Sequence, residues 1–316
     1  MDITPSVLRN MRNTFSSLFR GAYDRTPVMY PQLCTTVPST SGQNNYGWMA
    51  QLPKMREWIG ARAFQNLITQ AYVLENKEWE LSFSVPRKDI EDENLGQYAM
   101  FVPAYGEAAR KHPDELLFML LKNAHQTSWT VTDDSGTAVL YSGLCFDGQP
   151  FFNASHPVNS KDSSKGTYSN YVSTGQALTA ANYDAVRAKM SAYVGESGAS
   201  LNIVPDLIIV PPALEGTAKT IVASQFGAGG ATNIYNGTAQ VLMVPELAGA
   251  DTTWYLASTG RVIKPFVYQP RRPVAFVNKT NLNDDNVVYE RQYDFMADSR
   301  DNMGFTLPFL IHKSVA

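Results

Sequence analysis

The chain has 316 residues, of which 44% are apolar and 17% are charged. It is long enough for one large domain or two modest ones, and its composition is globular rather than disordered. The net charge of −3 argues against tight, phosphate-led binding to nucleic acids. Charged residues are costly to bury unless they are paired, so the low charged fraction favours a protein that covers much of its surface with neighbours.

The two cysteines, Cys34 and Cys145, are typical of ordinary thiols in a reducing cytoplasm, although a disulfide between them stays open. Every apolar run is shorter than the roughly 18 residues that a bilayer-spanning helix needs. The first residues also lack the apolar stretch of a secretory signal. We therefore expect no membrane partner.

The first 20 residues or so predict an amphipathic helix. Thr4 can cap it and Pro5 suits its first position. Its apolar stripe consists of Val7, Leu8, Met11, Phe15, Leu18 and Phe19. Arg9, Arg12 and Arg20 surround that stripe, so a membrane-surface helix or a transit peptide is one interpretation. The interpretation we favour is a terminal arm laid over a protein surface.

Residues 62–91 predict a long β-hairpin with its turn at Glu75–Lys77. From Trp79 to Val85, apolar and polar residues alternate with the period of a strand. A two-stranded ribbon is marginally stable alone in water, so we expect it to lie on another surface. Trp48, Trp58 and Trp79 are candidate anchors for such a contact, with local core packing as the alternative.

The rest of the chain predicts a helical segment followed by a mixed β/α region. Residues 92–125 are expected to be helical, with a break or kink at His112-Pro113, and the segment Leu116 to Leu121, which is apolar all round, is expected to be deeply buried. Between residues 179 and 258, helices alternate with short buried strands, and Thr179 opens the first helix. The final segment is mostly strand.

The stretch "CFDGQPFFNASHP" (Cys145–Pro157) is the strongest candidate for chemistry. A thiol hydrolase could use Cys145 with His156, oriented by Asp147 or Asn153. However, Cys145 follows a strand and lacks the glycine-rich or helix-start context that stabilises a thiolate. We therefore interpret Asp147-Gly148 as a turn and the neighbouring phenylalanines as packing.

No metal, cofactor or catalytic site is predicted. The four histidines are isolated from other ligands, and "GAGG" (Gly227–Gly230) lacks the strand-then-helix frame of a dinucleotide site. Arg271 and Arg272, between prolines on a predicted strand edge, are expected to pair with a neighbour's carboxylate.

Several motifs occur in one order: "YGWMAQLPKMREWIGAR", "YVLENKEWELSFSVPRKDIEDENLGQY", "ARKHPDELLFMLLKN", "FDGQPFFNASHPVN" and "DFMADSRDNMGFTLPFLIHKS". In this order the chain resembles the Mu-like phage major head subunit, from about Tyr46 to Ser314. The resemblance implies an α+β fold of the Hong Kong 97 capsid type. The implied parts are an N-terminal arm and extended segment (1–61), an E-loop hairpin (62–91), a peripheral domain with a spine helix (92–178), an axial domain (179–261) and C-terminal strands returning to the peripheral domain (262–316).

The function implied by the resemblance is that of a non-enzymatic capsid protein. Its copies would assemble as pentameric and hexameric capsomers into an icosahedral shell around double-stranded DNA, which they would contact non-specifically. Further implied partners are a scaffolding protein, a portal and a maturation protease, with assembly in the host bacterial cytoplasm and a final location in the virion. The alternatives are a phage tail-tube protein and the thiol hydrolase. The residues expected at contacts between subunits are Arg9, Arg12, Arg20, Trp48, Trp58, Glu75, Asn76, Lys77, Trp79, Arg271 and Arg272.

Overall fold

The computed structural model describes residues 3–49, 69–92, 95–133, 135–159, 162–196, 198–227 and 230–316. The helices are α1 (Pro5–Arg25), α2 (Tyr30–Leu33), α3 (Arg87–Glu91), α4 (Leu95–Asn123), α5 (Ala180–Ser191), α6 (Glu215–Val222) and α7 (Asp285–Val288). The first strands are β1 (Cys34–Thr36), β2 (Gln43–Met49), β3 (Thr69–Glu75), β4 (Lys77–Pro86), β5 (Ser128–Thr132), β6 (Ala138–Ser142), β7 (His156–Pro157), β8 (Thr167–Tyr168) and β9 (Tyr171–Val172). The remaining strands are β10 (Leu207–Val210), β11 (Gln240–Met243), β12 (Thr253–Ala257), β13 (Phe266–Lys279), β14 (Gln292–Phe305) and β15 (Ile311–Val315).

Two sheets organise the fold. A four-stranded sheet has the order β1-β13-β14-β4, and its long strands β13 and β14 are antiparallel. A five-stranded sheet has the order β11-β10-β12-β15-β9. Alternate side chains of β10 enter different cores: Ile209 packs in the cluster that contains the C-terminal half of α4, whereas Ile208 packs with α5 and α6. This mixture of helices and sheets confirms the predicted α+β class.

Helix α1 packs on its own subunit. The Thr4 hydroxyl caps it by accepting the Val7 amide at 3.4 Å, as predicted. The ring centroids of Phe15 and Phe295 lie 5.0 Å apart, and those of Phe19 and Phe276 lie 4.6 Å apart. The protein surface over which this terminal segment was expected to lie is thus provided, for this helix, by its own chain, whose strands β13 and β14 cover the apolar stripe.

Helix α4 continues through both of its prolines, Pro103 and Pro113. The helix is therefore not broken at His112-Pro113, and the turns that follow are stabilised by the packing of Leu116 to Leu121 against the core. Their predicted deep burial is confirmed. Asp114, at the next position, accepts the backbone amides of Met29 and Tyr30 at 2.6–3.0 Å and so fixes the start of α2.

The mixed region after residue 179 has the predicted elements. Thr179 caps α5 by accepting the Asn182 amide at 3.2 Å, and β10 is buried throughout, as the sequence indicates. The closing strands divide between the two sheets: β13 and β14 lie in the four-stranded sheet, but β15 pairs with β12. This differs from the expectation that the whole closing segment returns to one domain.

The predicted hairpin has the wrong partners. Strand β3 pairs antiparallel with β2, whereas β4 pairs along its length with β14. The hairpin is therefore β2–β3, and Asn76 is the junction at which the chain enters the four-stranded sheet. Apolar and polar residues alternate in β4 because it is the edge strand of a sheet that has one face on the core. A free two-stranded ribbon would show the same alternation of apolar and polar residues.

Candidate functional site

Three side chains from the Cys145–Pro157 stretch meet in the interior. The Cys145 thiol donates to Oδ1 of Asp147 at 2.9 Å, and Nδ1 of His156 lies 2.7 Å from Oδ2 of the same carboxylate. The second imidazole nitrogen lies 3.2 Å from the carbonyl oxygen of Phe151. Gly148, with a φ of +76°, forms the predicted turn between them.

The electrostatics of this trio disfavour a nucleophilic thiol. Burial raises the pKa of Cys145, and the adjacent Asp147 carboxylate raises it further, so the thiol keeps its proton. Burial alone would raise the pKa of Asp147 as well, but hydrogen bonds from His156 and Cys145 hold it below its ordinary value. Because a thiol nucleophile requires the thiolate, this geometry is that of a loop fastened by a buried carboxylate.

The same three residues also carry the kinds of atoms that can bind a metal ion. Their potential ligand atoms all lie within 4.8 Å of one another. In the structure, however, the two contacts to Asp147 have hydrogen-bond lengths, and Oδ1 also accepts the Gln149 amide at 3.0 Å. The polar atoms thus satisfy each other, and Phe151 and Phe152 beside them are fully buried packing residues.

Two of the predicted contact residues pack inside their own subunit. The Trp79 ring lies 4.3 Å from that of His112, and its Nε1 donates to the carbonyl of Asp301 at 3.2 Å. Lys77 is half-buried, with its ammonium 3.7 Å from the centroid of the Tyr141 ring. Both side chains pack inside their own subunit because β4 lies in the four-stranded sheet and not at the tip of a hairpin.

The other predicted contact residues are more accessible. Arg9 and Arg20 are exposed on α1, and Arg12 is half-buried. Arg271 donates to the carbonyl of Ser39 at 3.2 Å, and Arg272 pairs with Asp298 of its own chain.

Three further contact predictions concern the hairpin. Glu75 is exposed at the end of β3. Trp48 lies in β2, and Trp58 falls outside the described residues.

Sequence reasoning missed several exposed apolar side chains. Met100 is 80% exposed, Phe101 is 64% exposed on the same helix, and Val262 is 92% exposed. Large apolar side chains exposed in this way are typical of surfaces that contact another protein. The local signal for Met100 and Phe101 was helical periodicity, which placed them on a helix but did not show which face was covered.

Sequence reasoning also missed the buried amides of Gln269 and Asn302 at the root of the β2–β3 hairpin. No sequence signal marked them, because both sit in strands whose pairing was unknown.

Within the described residues, no helix combines the length and the apolar character required to cross a bilayer.

A sequence profile described as Mu-like prophage major head subunit gpT matches residues 8–177, 171–247 and 246–316. The chain belongs to this family. It is 25% identical over 305 residues to the major capsid protein of Escherichia phage Mu, covering 96% of this chain and 72% of that protein. It is also 25% identical over 304 residues to the Mu-like prophage FluMu major head subunit of Haemophilus influenzae, covering 96% of this chain and 71% of that protein.

Solved capsid structures share the fold. A chain of the bacteriophage JBD30 procapsid matches with a TM-score of 0.60 and 28% identity, over 99% of this chain and 76% of that one. The virus-like particle of Pyrococcus furiosus matches with a TM-score of 0.53 and 9% identity, over 96% and 98%, and supports the fold alone. The predicted Hong Kong 97-type fold and the predicted function, a major capsid protein of a Mu-like phage, are thereby confirmed. The protein is thus a self-assembling component of the virion capsid rather than a tail-tube subunit.

Proposed function

We propose that the β2–β3 hairpin is the element by which each capsid subunit holds its neighbour. The observation that carries this proposal is its pairing: within the described residues β2 and β3 form a two-stranded sheet of their own, as β5–β6 and β7–β8 do, but of these three pairs only β2–β3 carries a connection as long as residues 50–68. A two-stranded sheet is marginal in water without a surface to lie on. A second copy of the chain supplies that surface. Because the same contact is repeated around the shell, the shell is held together by avidity and not by the affinity of a single contact.

The experiment is to shorten the hairpin without disturbing its root. Met49 and Thr69 are register partners, so an Asn-Gly turn can join them directly in place of residues 50–68. We expect the shortened subunit to fold with the helix and strand content of the parent protein but to form no closed shells, as seen by negative-stain microscopy.

A matched control shortens a different hairpin. Thr132 and Ala138 are register partners in β5–β6, and an Asn-Gly turn can replace residues 133–137. This control should assemble like the parent protein. Closed shells at parental yield from the β2–β3 variant would refute the proposal.

We also propose that the exposed arginines of α1 contact an acidic segment of another virion component. Arg9 and Arg20 are exposed, and among the described residues neither has an ion pair, so their charges suit a carboxylate-rich partner. A scaffolding protein and a second copy of the chain are the partners of this class. We further propose that the subunits form hexameric and pentameric capsomers, have a portal and a maturation protease as partners, and contact packaged double-stranded DNA non-specifically. Assembly is proposed to take place in the bacterial cytoplasm.

The division of the chain into parts is also proposed. The proposed peripheral domain (92–178 and 262–316) contains α4 and the long strands of the four-stranded sheet, and the proposed axial domain (179–261) contains α5, α6 and most of the five-stranded sheet, which β9 and β15 join from the peripheral ranges. The proposed arm and extended segment (1–61) overlaps the E-loop once the E-loop is assigned to the β2–β3 hairpin, because β2 begins at Gln43.

A further inference from the structure

Two buried side-chain amides fasten the end of β3 to the four-stranded sheet. Gln269 of β13 is fully buried, and its Nε2 donates to the carbonyl of Leu74 at 3.2 Å. Asn302 of β14 is 9% exposed, and its Nδ2 donates to the carbonyl of Glu75 at 2.6 Å. Leu74 and Glu75 are the last residues of β3, so both bonds lie where the hairpin joins the body of the subunit.

Asn76 closes the network on the other hairpin strand. Its Oδ1 accepts from Nε2 of Gln269 at 2.7 Å, while its Nδ2 donates to the carbonyls of Ser41 at 2.8 Å and Gly42 at 3.1 Å. Ser41 and Gly42 immediately precede β2. In addition, the Tyr46 hydroxyl of β2 donates to Oε1 of Gln269 at 2.6 Å. One glutamine side chain therefore contacts both strands of the hairpin.

A close packing contact between β3 and β14 lies beside this network. Leu74 is 6% exposed, and the backbone amide of Phe305 donates to the Tyr72 hydroxyl at 3.3 Å. A Cβ atom at Gly304 would come within 2.8 Å of the Tyr72 hydroxyl and 3.1 Å of the Leu74 side chain. Glycine at this position thus lets β3 cross closely over β14.

We propose that Gln269 and Asn302 are positioning residues that set the direction in which the β2–β3 hairpin leaves the sheet, and thereby place it against a second copy of the chain. The second half of this statement rests on the proposed function of the hairpin. Turning the hairpin at its root would separate the buried Gln269 amide from the carbonyl of Leu74 and would leave the nearly buried Asn302 amide without its partner, and buried groups left without partners are strongly disfavoured. The root is therefore stiff because its hydrogen bonds have no substitutes.

The direction can be measured with spin labels on unassembled subunits. Val73 in β3 and Val277 in β13 are 47% and 43% exposed, whereas the native cysteines are buried, so Val73→Cys and Val277→Cys accept labels selectively. Labelled subunits are diluted into unlabelled ones, and the distance distribution is recorded by double electron–electron resonance. We expect one narrow distribution in the parent protein and at least a twofold broader one in the Gln269→Met/Asn302→Leu double variant.

Two further variants keep the test decisive. Gly304→Ala retains both amides but crowds Tyr72, so it should shift the mean distance and keep the distribution narrow. Gln292→Met removes the side-chain amide of a half-buried residue at the far end of β14, which bonds only to Glu290 among the described residues, and should change nothing. If circular dichroism shows that the double variant is unfolded, the shift of the mean label-to-label distance in Gly304→Ala decides the test by itself.

The outcomes separate this inference from the proposed function. A narrow, unshifted distribution in both the double variant and Gly304→Ala would overturn the positioning role. A broad distribution combined with normal closed shells would leave the positioning of the hairpin intact and refute its role in assembly. Broad distributions together with open or irregular particles are the expected result.

Discussion

Nε2 of His112 lies 3.7 Å from Oδ1 of Asp301, and neither atom has a hydrogen-bond partner within the described residues. The two residues join the middle of α4 to β14, beside the ring of Trp79. Burial raises the pKa of Asp301 to about 6 and lowers that of His112 to about 4. At neutral pH a buried carboxylate thus faces a neutral imidazole without a counter-charge.

The two groups oppose each other in the pH dependence of stability. Folded Asp301 binds its proton at higher pH than the unfolded chain does, so its contribution to stability grows as the pH falls through 6 and is lost as the pH rises through that value. Folded His112 resists protonation, so its contribution is present above the unfolded pKa of 6.5 and is lost as the pH falls towards 4. We expect Asp301→Asn to stabilise the subunit at pH ~8 and to lose that advantage near pH ~5. Urea unfolding at both pH values checks this, and an equal effect at both would contradict it.

A second prediction concerns the contact between α1 and α4. A Cβ atom at Gly106 would clash with the backbone carbonyl of Phe19, so Gly106→Ala should push the helices apart and destabilise the subunit by about 1–3 kcal/mol. Gly96→Ala is the matched control in the same helix, because nothing among the described residues lies within 4 Å of its Cβ position. The control should stabilise by roughly 0.5–1 kcal/mol. Thermal unfolding distinguishes the two, and identical shifts would show that α1 does not pack at Gly106.

A third prediction concerns Asp147. Replacing it with alanine leaves the fully buried His156 imidazole and the Cys145 thiol without their shared hydrogen-bond partner. We therefore expect a loss of about 2–4 kcal/mol in unfolding free energy. Asp162→Ala is the control: the carboxylate of this half-buried residue caps only a short turn at Ser164, and its loss should destabilise far less than the loss of Asp147. Cys145→Ala should leave shell assembly intact. Failure of that variant to assemble, despite normal folding, would assign the thiol a role beyond packing.

A fourth prediction concerns the basic face of α1. Reversing the charge of Arg9, Arg12 and Arg20 to glutamate should impair shell formation while leaving the subunit folded, because Arg9 and Arg20 are exposed and Arg12 is only half-buried. The triple lysine variant keeps the charge and should assemble normally, which separates charge from helix packing. Particle yield by microscopy and helix content by circular dichroism are the measurements. Normal shells from the glutamate variant would exclude this face from assembly.

The sequence predicted those elements whose signal is local. The Thr4 and Thr179 caps, the buried strand at Leu207–Val210 and the burial of Leu116 to Leu121 depend on neighbours within a few residues, and each was found as expected.

The errors arose where pairing is long-range. Strand β4 pairs with β14 more than 200 positions away, as Phe83 with Phe295 illustrates, and its alternating pattern is the same for either partner. The root amides Gln269 and Asn302 were missed for this reason, since their significance depends entirely on which backbone lies opposite them.

The packing of Phe15 against Phe295 has a consequence for how the protein is made. These rings are separated by nearly the whole polypeptide, which a ribosome takes on the order of 15–60 s to complete at roughly 5–20 residues per second. Helix α4 is made early and can cover part of the apolar side of α1, but the aromatic partners on β13 and β14 appear only near the end of synthesis. The first helix therefore completes its packing only when the last strands have been made.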